Sequence, residues 1–293
     1  MRTVLIVGCG DVARRAIPWL AGRFRVIAMI RDAGARAALQ SLGARTVVAD
    51  LDDRRSLRRL AGIADVVIHA APPPRSGSTD PRTQRLVAAL ARGSRVAQRL
   101  VYISTTGVYG NCDGAWVDEA RAPRPDSARA VRRVDAERRL RDFGRRCGVA
   151  VAVLRAPGIY AADRLPLARL ERGDPVLRLE DDVHTNHIHA DDLARLAALA
   201  LFRGGAGRIW NACDDTRLRM GDYFDAVADH FHRPRPARVS RAEMAARVSP
   251  MAMSFMRESR RLDNRRIKRE LRVALRYPDI FAGLAAASAA GLA

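Results

Sequence analysis

The chain has 293 residues, 48% hydrophobic and 29% charged, with a formal net charge of +20. That length allows one large α/β domain or two ordinary ones at roughly 150 residues per domain, and the composition excludes intrinsic disorder, collagen and a disulfide scaffold as the main architecture. No apolar run reaches the roughly 18 residues of a membrane span, and Gly8, Gly10 and Asp11 break the stretch that a signal peptide keeps apolar, so a cytoplasmic location and no membrane partner are expected.

Residues Thr3–Val7 are a continuous apolar run, the mark of a strand buried on both faces. A helix is expected over 12–22, with Pro18 inside it, then a strand over Arg25–Ile30. Residues 35–42 read as a helix stopped by Gly43, 45–49 as a third strand and 56–61 as a short helix. A fourth strand at 65–70 leads through a Pro/Ser/Gly loop to a helix at 81–93. A fifth strand covers 99–104, a long arginine-rich helix Ala128–Cys147, and a sixth strand 150–155. Apolar strands alternating with helices imply a parallel sheet covered on both faces and wound in two directions.

After residue 157 the rhythm weakens. A helix is expected at 192–203 and a strand at 208–212, and the chain from Met220 onward reads as mostly helical. The fold class is thus α/β, a Rossmann-type doubly wound sheet with a small, mainly helical C-terminal cap. Residues 1–160 form the core, 183–215 return to it, and 161–182 with 216–293 form the substrate-side cap. The low-complexity tail, 283–293, is expected to fray.

The positive charge comes from 51 arginines and one lysine, Lys268, spread over almost every segment. This reads as the codon bias of a GC-rich genome and a solvated basic surface rather than a nucleic-acid groove. An anionic small molecule stays compatible with it. Cys9, Cys112, Cys147 and Cys213 are far apart and form no CxxC pair, so reduced thiols are expected. His184, His187 and His189 lie on a strand-like stretch that enters a helix at Asp191-Asp192, and no metal site is expected.

Gly8-Cys9-Gly10-Asp11-Val12-Ala13 is a G-x-G-x-x-A loop between the first strand and first helix. Gly8 permits the tight turn, Gly10 the approach of a pyrophosphate, and Ala13 close packing of helix on strand. The helix N-terminus supplies free N–H groups to the phosphates. Arg31 and Asp32 end the second strand, about 20 residues past Gly10, where a carboxylate selects the NAD ribose and an arginine the NADP phosphate. NADP(H) is favoured, and Asp32 leaves NAD(H) open.

At Ser104-Thr105-Thr106-Gly107-Val108-Tyr109-Gly110 the chain resembles the extended short-chain dehydrogenase/reductase family of NAD(P)-dependent epimerases and dehydratases. The N-terminal glycine loop, Asp50-Leu51, His69-Ala70-Ala71, Arg155 to Tyr160 and His187 to Asp192 agree in order. The resemblance implies that Asp50 and Leu51 contact the adenine, and that Ala70, Ala71, Pro72 and Ser104 line the cofactor. It implies that Pro157, Gly158 and Ile159 flank the nicotinamide, that Tyr160 faces the substrate, and that Thr105 is the catalytic hydroxyl. One departure stands out. Counting back from Glu137, the family's Tyr-x-x-x-Lys pair is replaced by Arg129 and Arg133. Arginine stays protonated near pH 7 and is no general base. The resemblance is therefore closest to the atypical branch that lacks the pair. Tyr109 and Tyr160 are substitute acids or, more simply, packing residues. Two functions are expected from these residues: an NADP-dependent oxidoreductase or epimerase with an altered proton relay, or a non-catalytic NADP(H)-binding sensor or assembly factor. Either acts as a monomer or homodimer on a small-molecule partner.

Overall fold

A computed structural model describes residues 1–93 and 95–289. In chain order its first elements are β1 (Thr3–Val7), α1 (Asp11–Ala21), β2 (Arg25–Ile30), α2 (Arg36–Gln40), β3 (Ala44–Val48) and β4 (Val66–His69). They are followed by α3 (Pro81–Leu90), β5 (Arg99–Thr105), β6 (Trp116–Val117), α4 (Ala128–Cys147), β7 (Ala150–Ala156) and β8 (Gly158–Tyr160). The second half holds α5 (Leu167–Glu171), β9 (Val176–Leu177), β10 (His187–His189), α6 (Ala190–Ala200), β11 (Arg208–Asn211) and α7 (Met220–His230). The last elements are β12 (Arg238–Val239), α8 (Arg241–Arg247), α9 (Pro250–Phe255), β13 (Arg261–Leu262), α10 (Arg265–Leu271) and α11 (Ile280–Ala289).

Seven strands form one sheet in the order β11-β7-β5-β4-β1-β2-β3, every pair parallel. The chain winds outward from β1 through β2 to β3, then returns to β4 and winds the other way. The reversal between β1 and β4 leaves a crevice at the C-terminal strand ends, where ligands bind in such sheets. One face of the sheet packs Ile6, Val26, Ile68 and Leu154 against α1 and α6. The other packs Leu5, Val67, Leu100 and Val153 against α3 and α4, through Leu86, Leu140 and Phe143. Val4 to Val7 are wholly buried, as a continuous apolar run requires.

Most expected elements lie within a residue or two of their places. The helix expected at 35–42 is shorter: a 3-10 turn at Ala33–Ala35 leads into α2. Residues 283–289 belong to α11, because Ile280 and Leu284 bury against Tyr160, Phe224 and Val227. Residues 290–293 lie outside the described residues. Ile267, Leu271 and Val273 join the core under α6, although they come from the stretch after 216. Beside the sheet, three two-stranded parallel pairs, β8 with β10, β9 with β12 and β6 with β13, tie the later segments down.

Buried polar groups brace the centre. Glu137 on α4 is fully buried and takes two bonds from Arg155 on β7, at 2.7 and 3.2 Å, and one from the Ser104 hydroxyl at 2.6 Å. This locks β5, α4 and β7 together immediately before Thr105.

Candidate cofactor and substrate site

The loop after β1 turns at Gly8 with φ of +94°, a backbone state that favours glycine. It passes so close to the end of β4 that a Cβ on Gly8 would lie 2.3 Å from the Ala71 nitrogen. The Ala70 and Ala71 amides both donate to the Val7 carbonyl, at 2.8 and 3.0 Å, which fixes this approach. At Gly10 the opposite holds. A Cβ there would meet nothing within 4 Å, so open space lies over the loop. Gly10 caps α1 without any side-chain cap bond. The first turn thus keeps N–H groups for a phosphate, and the cradle fits a dinucleotide pyrophosphate.

Above the loop lies a cleft of about 720 Å³. Gly8, Cys9, Gly10, Asp11, Val12, Arg31, Asp32, Asp50, Leu51, Ala70, Ala71, Pro72, Ser104, Thr105, Pro157 and Ile159 all line it. Gly158 and Tyr160 line a neighbouring pocket of about 400 Å³ instead. Thr105, Pro157, Ile159 and Arg164 belong to both cavities, so the two meet there. The Cys9 thiol is pushed up to about 12, chiefly by burial, and bonds the Ile6 carbonyl; it is an inert wall. At the far end Arg31 is exposed on the rim. The Asp32 carboxylate accepts the Gly34 amide at 3.0 Å and so caps its own turn.

The α4 positions of the missing Tyr and Lys lie at the junction. Arg133 lines the larger cleft and donates to the Tyr102 hydroxyl at 3.0 Å and the Ile103 carbonyl at 2.8 Å. Arg129, one helical turn earlier, lines the smaller pocket. Glu137 is a brace, as its buried bonds to Ser104 and Arg155 state. The two tyrosines are engaged elsewhere. Tyr109 donates to Asn211 Oδ1 at 2.8 Å, and burial pushes its pKa up to about 12. Tyr160 is buried, donates to the Asp279 carbonyl at 3.0 Å, and is likewise raised by burial. The Thr105 hydroxyl accepts the Gly107 amide at 3.2 Å and keeps its own hydrogen for another acceptor.

Sequence reasoning missed several residues of the smaller pocket: Tyr223, Phe224, Phe255, Glu258 and Arg260. No local signal marks them, since they reach the pocket from α7, α9 and the loop that leads into β13. His187 lies in contact with Tyr223, ring centroids 4.3 Å apart, and burial lowers its pKa to about 4. Among the described residues no three His, Cys, Asp or Glu side chains are grouped to hold a metal. No helix of the described residues is long and apolar enough to cross a membrane.

The chain is similar to known proteins along most of its length. The family model for NAD(P)H-binding proteins matches residues 8–203. The structure of a functionally unknown conserved protein from Silicibacter pomeroyi DSS is similar with a TM-score of 0.81, at 29% identity over 99% of both chains. That of UDP-glucose 4-epimerase with UDP-glucose from Thermotoga maritima gives 0.77, at 17% identity over 96% of each chain. A ketoreductase of Stigmatella aurantiaca, acting on a 4-hydroxy-2-methyl-3-oxo-4-farnesyl-3,4-dihydroquinoline-1-oxide, is 32% identical over 119 residues. That match covers 38% of this chain and 35% of the ketoreductase, so it spans about a third of that relative's length. With the family model covering the glycine loop, Thr105 and α6 alike, the chain belongs to the NAD(P)H-binding family, and its Rossmann-like fold is the one seen in solved epimerases and dehydratases.

Proposed function

We propose that this chain is an NADP(H)-dependent oxidoreductase or epimerase, acting on the carbonyl or alcohol of a small, nucleotide-sugar-like molecule through an altered proton relay. The observation that carries the reading is the meeting of the two cavities at Thr105. Gly8 to Val12 would hold the pyrophosphate, Asp50 and Leu51 the adenine, and Arg31 the 2′-phosphate. The turn of Asp32 into its own cap favours NADP(H); NAD(H) is the alternative. Ala70, Ala71, Pro72, Ser104, Pro157, Gly158 and Ile159 would border the nicotinamide half, with Tyr160 packing the substrate side. When bound, the nicotinamide supplies the hydride acceptor or donor. Thr105 would hydrogen-bond the reacting oxygen and hold it at the junction.

The curated relative's ketoreductase activity and the UDP-glucose of the solved epimerase fit this substrate class. The relay is altered because the Tyr109 and Tyr160 hydroxyls are bonded elsewhere and Arg129 and Arg133 stay charged. The four unpaired cysteines suit the expected cytoplasmic setting. The same engaged phenols favour a second reading, a non-catalytic NADP(H)-binding sensor or assembly factor. Substrate-dependent oxidation of NADPH across ketones and quinones, together with formation of the epimer from nucleotide sugars supplied with the oxidised cofactor, separates the two. Turnover that falls about 100-fold in Thr105→Ala supports the enzyme. Cofactor binding without turnover of any compound supports the sensor.

A further inference from the structure

The smaller pocket carries a charge imbalance. Arg129, Arg164, Arg169 and Arg260 line it against one carboxylate, Glu258. His184 and His187 line it too, and burial lowers the pKa of both, which favours their neutral forms. Three of the arginines are ion-paired. Arg164 meets Asp11 at 3.3 Å, Arg169 meets Asp174 at 3.5 Å, and Arg260 meets Glu258 at 2.8 Å.

Arg129 is different. It is half-buried, its guanidinium lies 3.5 Å above the Phe255 ring, and it donates to the Ser254 hydroxyl at 3.4 Å. Among the described residues no carboxylate pairs with it. Glu258, already bonded to Arg260, acts on it only through space. Its position compounds the cost. It stands in the first turn of α4, where a cation opposes the helix dipole. That turn holds no acidic residue, and Ser127 gives it no side-chain cap bond. A desolvated guanidinium, a positive helix end and an uncapped first turn all call for negative charge at one place. The planar fork of arginine matches a carboxylate or phosphate with paired bonds.

We propose that Arg129 is the specificity-determining residue of this pocket and grips an oxyanion carried by the substrate. The substrate class is then an anionic carbonyl or alcohol compound, held by its carboxylate or phosphate with its reacting carbon toward Thr105. The proposal rests on the smaller pocket being the substrate side of the cofactor cleft. The Arg260–Glu258 pair is neutral as a unit and leaves the field of Arg129 uncancelled.

Calorimetric titration with inorganic phosphate, succinate and neutral glucose tests it, on the full chain with and without saturating NADPH. Phosphate or succinate should bind, and Arg129→Met should weaken that binding about tenfold or more. Arg129→Lys should recover part of it, and NADPH affinity should stay within about twofold in both variants. Stronger binding of phosphate assigns a phosphorylated substrate; stronger binding of succinate assigns a carboxylic acid. The proposal is overturned if neither anion binds the wild type, if Arg129→Met binds them equally well, or if glucose binds in their place. Anion binding lost in Arg129→Met, in a protein that takes no NADPH, would support the grip and overturn the cofactor reading alone.

Discussion

Replacing Glu137 by alanine should be among the most damaging single changes in the core. Glu137 and Arg155 have side-chain exposures of 0% and 1%, and the carboxylate also takes the Ser104 hydroxyl. Removing the carboxylate strands a buried guanidinium, which costs about 3–5 kcal/mol. The Ser104 hydroxyl loses its acceptor as well, at about 1–3 kcal/mol. The sum, on the order of 5 kcal/mol, is a large part of the roughly 5–15 kcal/mol that holds a folded domain. For a chain of this length each kcal/mol is worth about 2 °C, so the melting point should fall by roughly 10 °C. Urea unfolding followed by circular dichroism measures the change at one temperature. The double variant Glu137→Leu with Arg155→Leu removes both charges and should be less destabilised than Glu137→Ala alone. A loss below about 1 kcal/mol in Glu137→Ala, or a double variant as unstable as the sum of the two single ones, would refute the reasoning.

Three further outcomes follow from the geometry. Gly8→Ala should cost about 2 kcal/mol or more and abolish dinucleotide binding, because φ is positive and the new Cβ meets the Ala71 backbone; melting and NADPH titration check it. His187 has its pKa lowered to about 4, so below about pH 6.5 the unfolded chain takes up a proton that the folded chain refuses. Stability should therefore fall as pH drops from about 6.5 to 4, by up to ~1.4 kcal/mol per pH unit, and His187→Gln should remove that part of the slope in urea titrations at pH 7 and pH 5. Tyr160→Phe should lose only the bond to the Asp279 carbonyl, about 1 kcal/mol. It should leave the pH profile of any NADPH oxidation unchanged; a shifted profile would make Tyr160 a proton donor after all.

The centre of the sheet was legible because its inner strands are buried on both faces and show as apolar runs, such as residues 4–7 and 150–154. The cofactor loop was legible because Gly8 and Gly10 answer to backbone geometry, and backbone geometry is local. The paired segments β6 with β13 and β9 with β12 were not. Each strand has two residues, too few for any period, and each partner is far along the chain. The role of α11 was hidden by its composition. An alanine-rich tail looks featureless until Ile280 and Leu284 meet Tyr160 and α7. The chemistry of the smaller pocket was hidden for a related reason. Arg129 was visible as a departure from a motif, but its stacking on Phe255 exists only once α4 and α9 converge.

The account stands on the cleft at the reversal of the sheet, with Arg31 at its rim. Calorimetric titration of the wild type and Arg31→Asp with NADPH and NADH tests it most directly. The account predicts that the wild type binds NADPH more tightly than NADH, and that Arg31→Asp loses the preference by about tenfold or more as a carboxylate replaces the phosphate-binding fork. Failure of the wild type to bind either dinucleotide, or an NADPH affinity indifferent to Arg31→Asp, would contradict it.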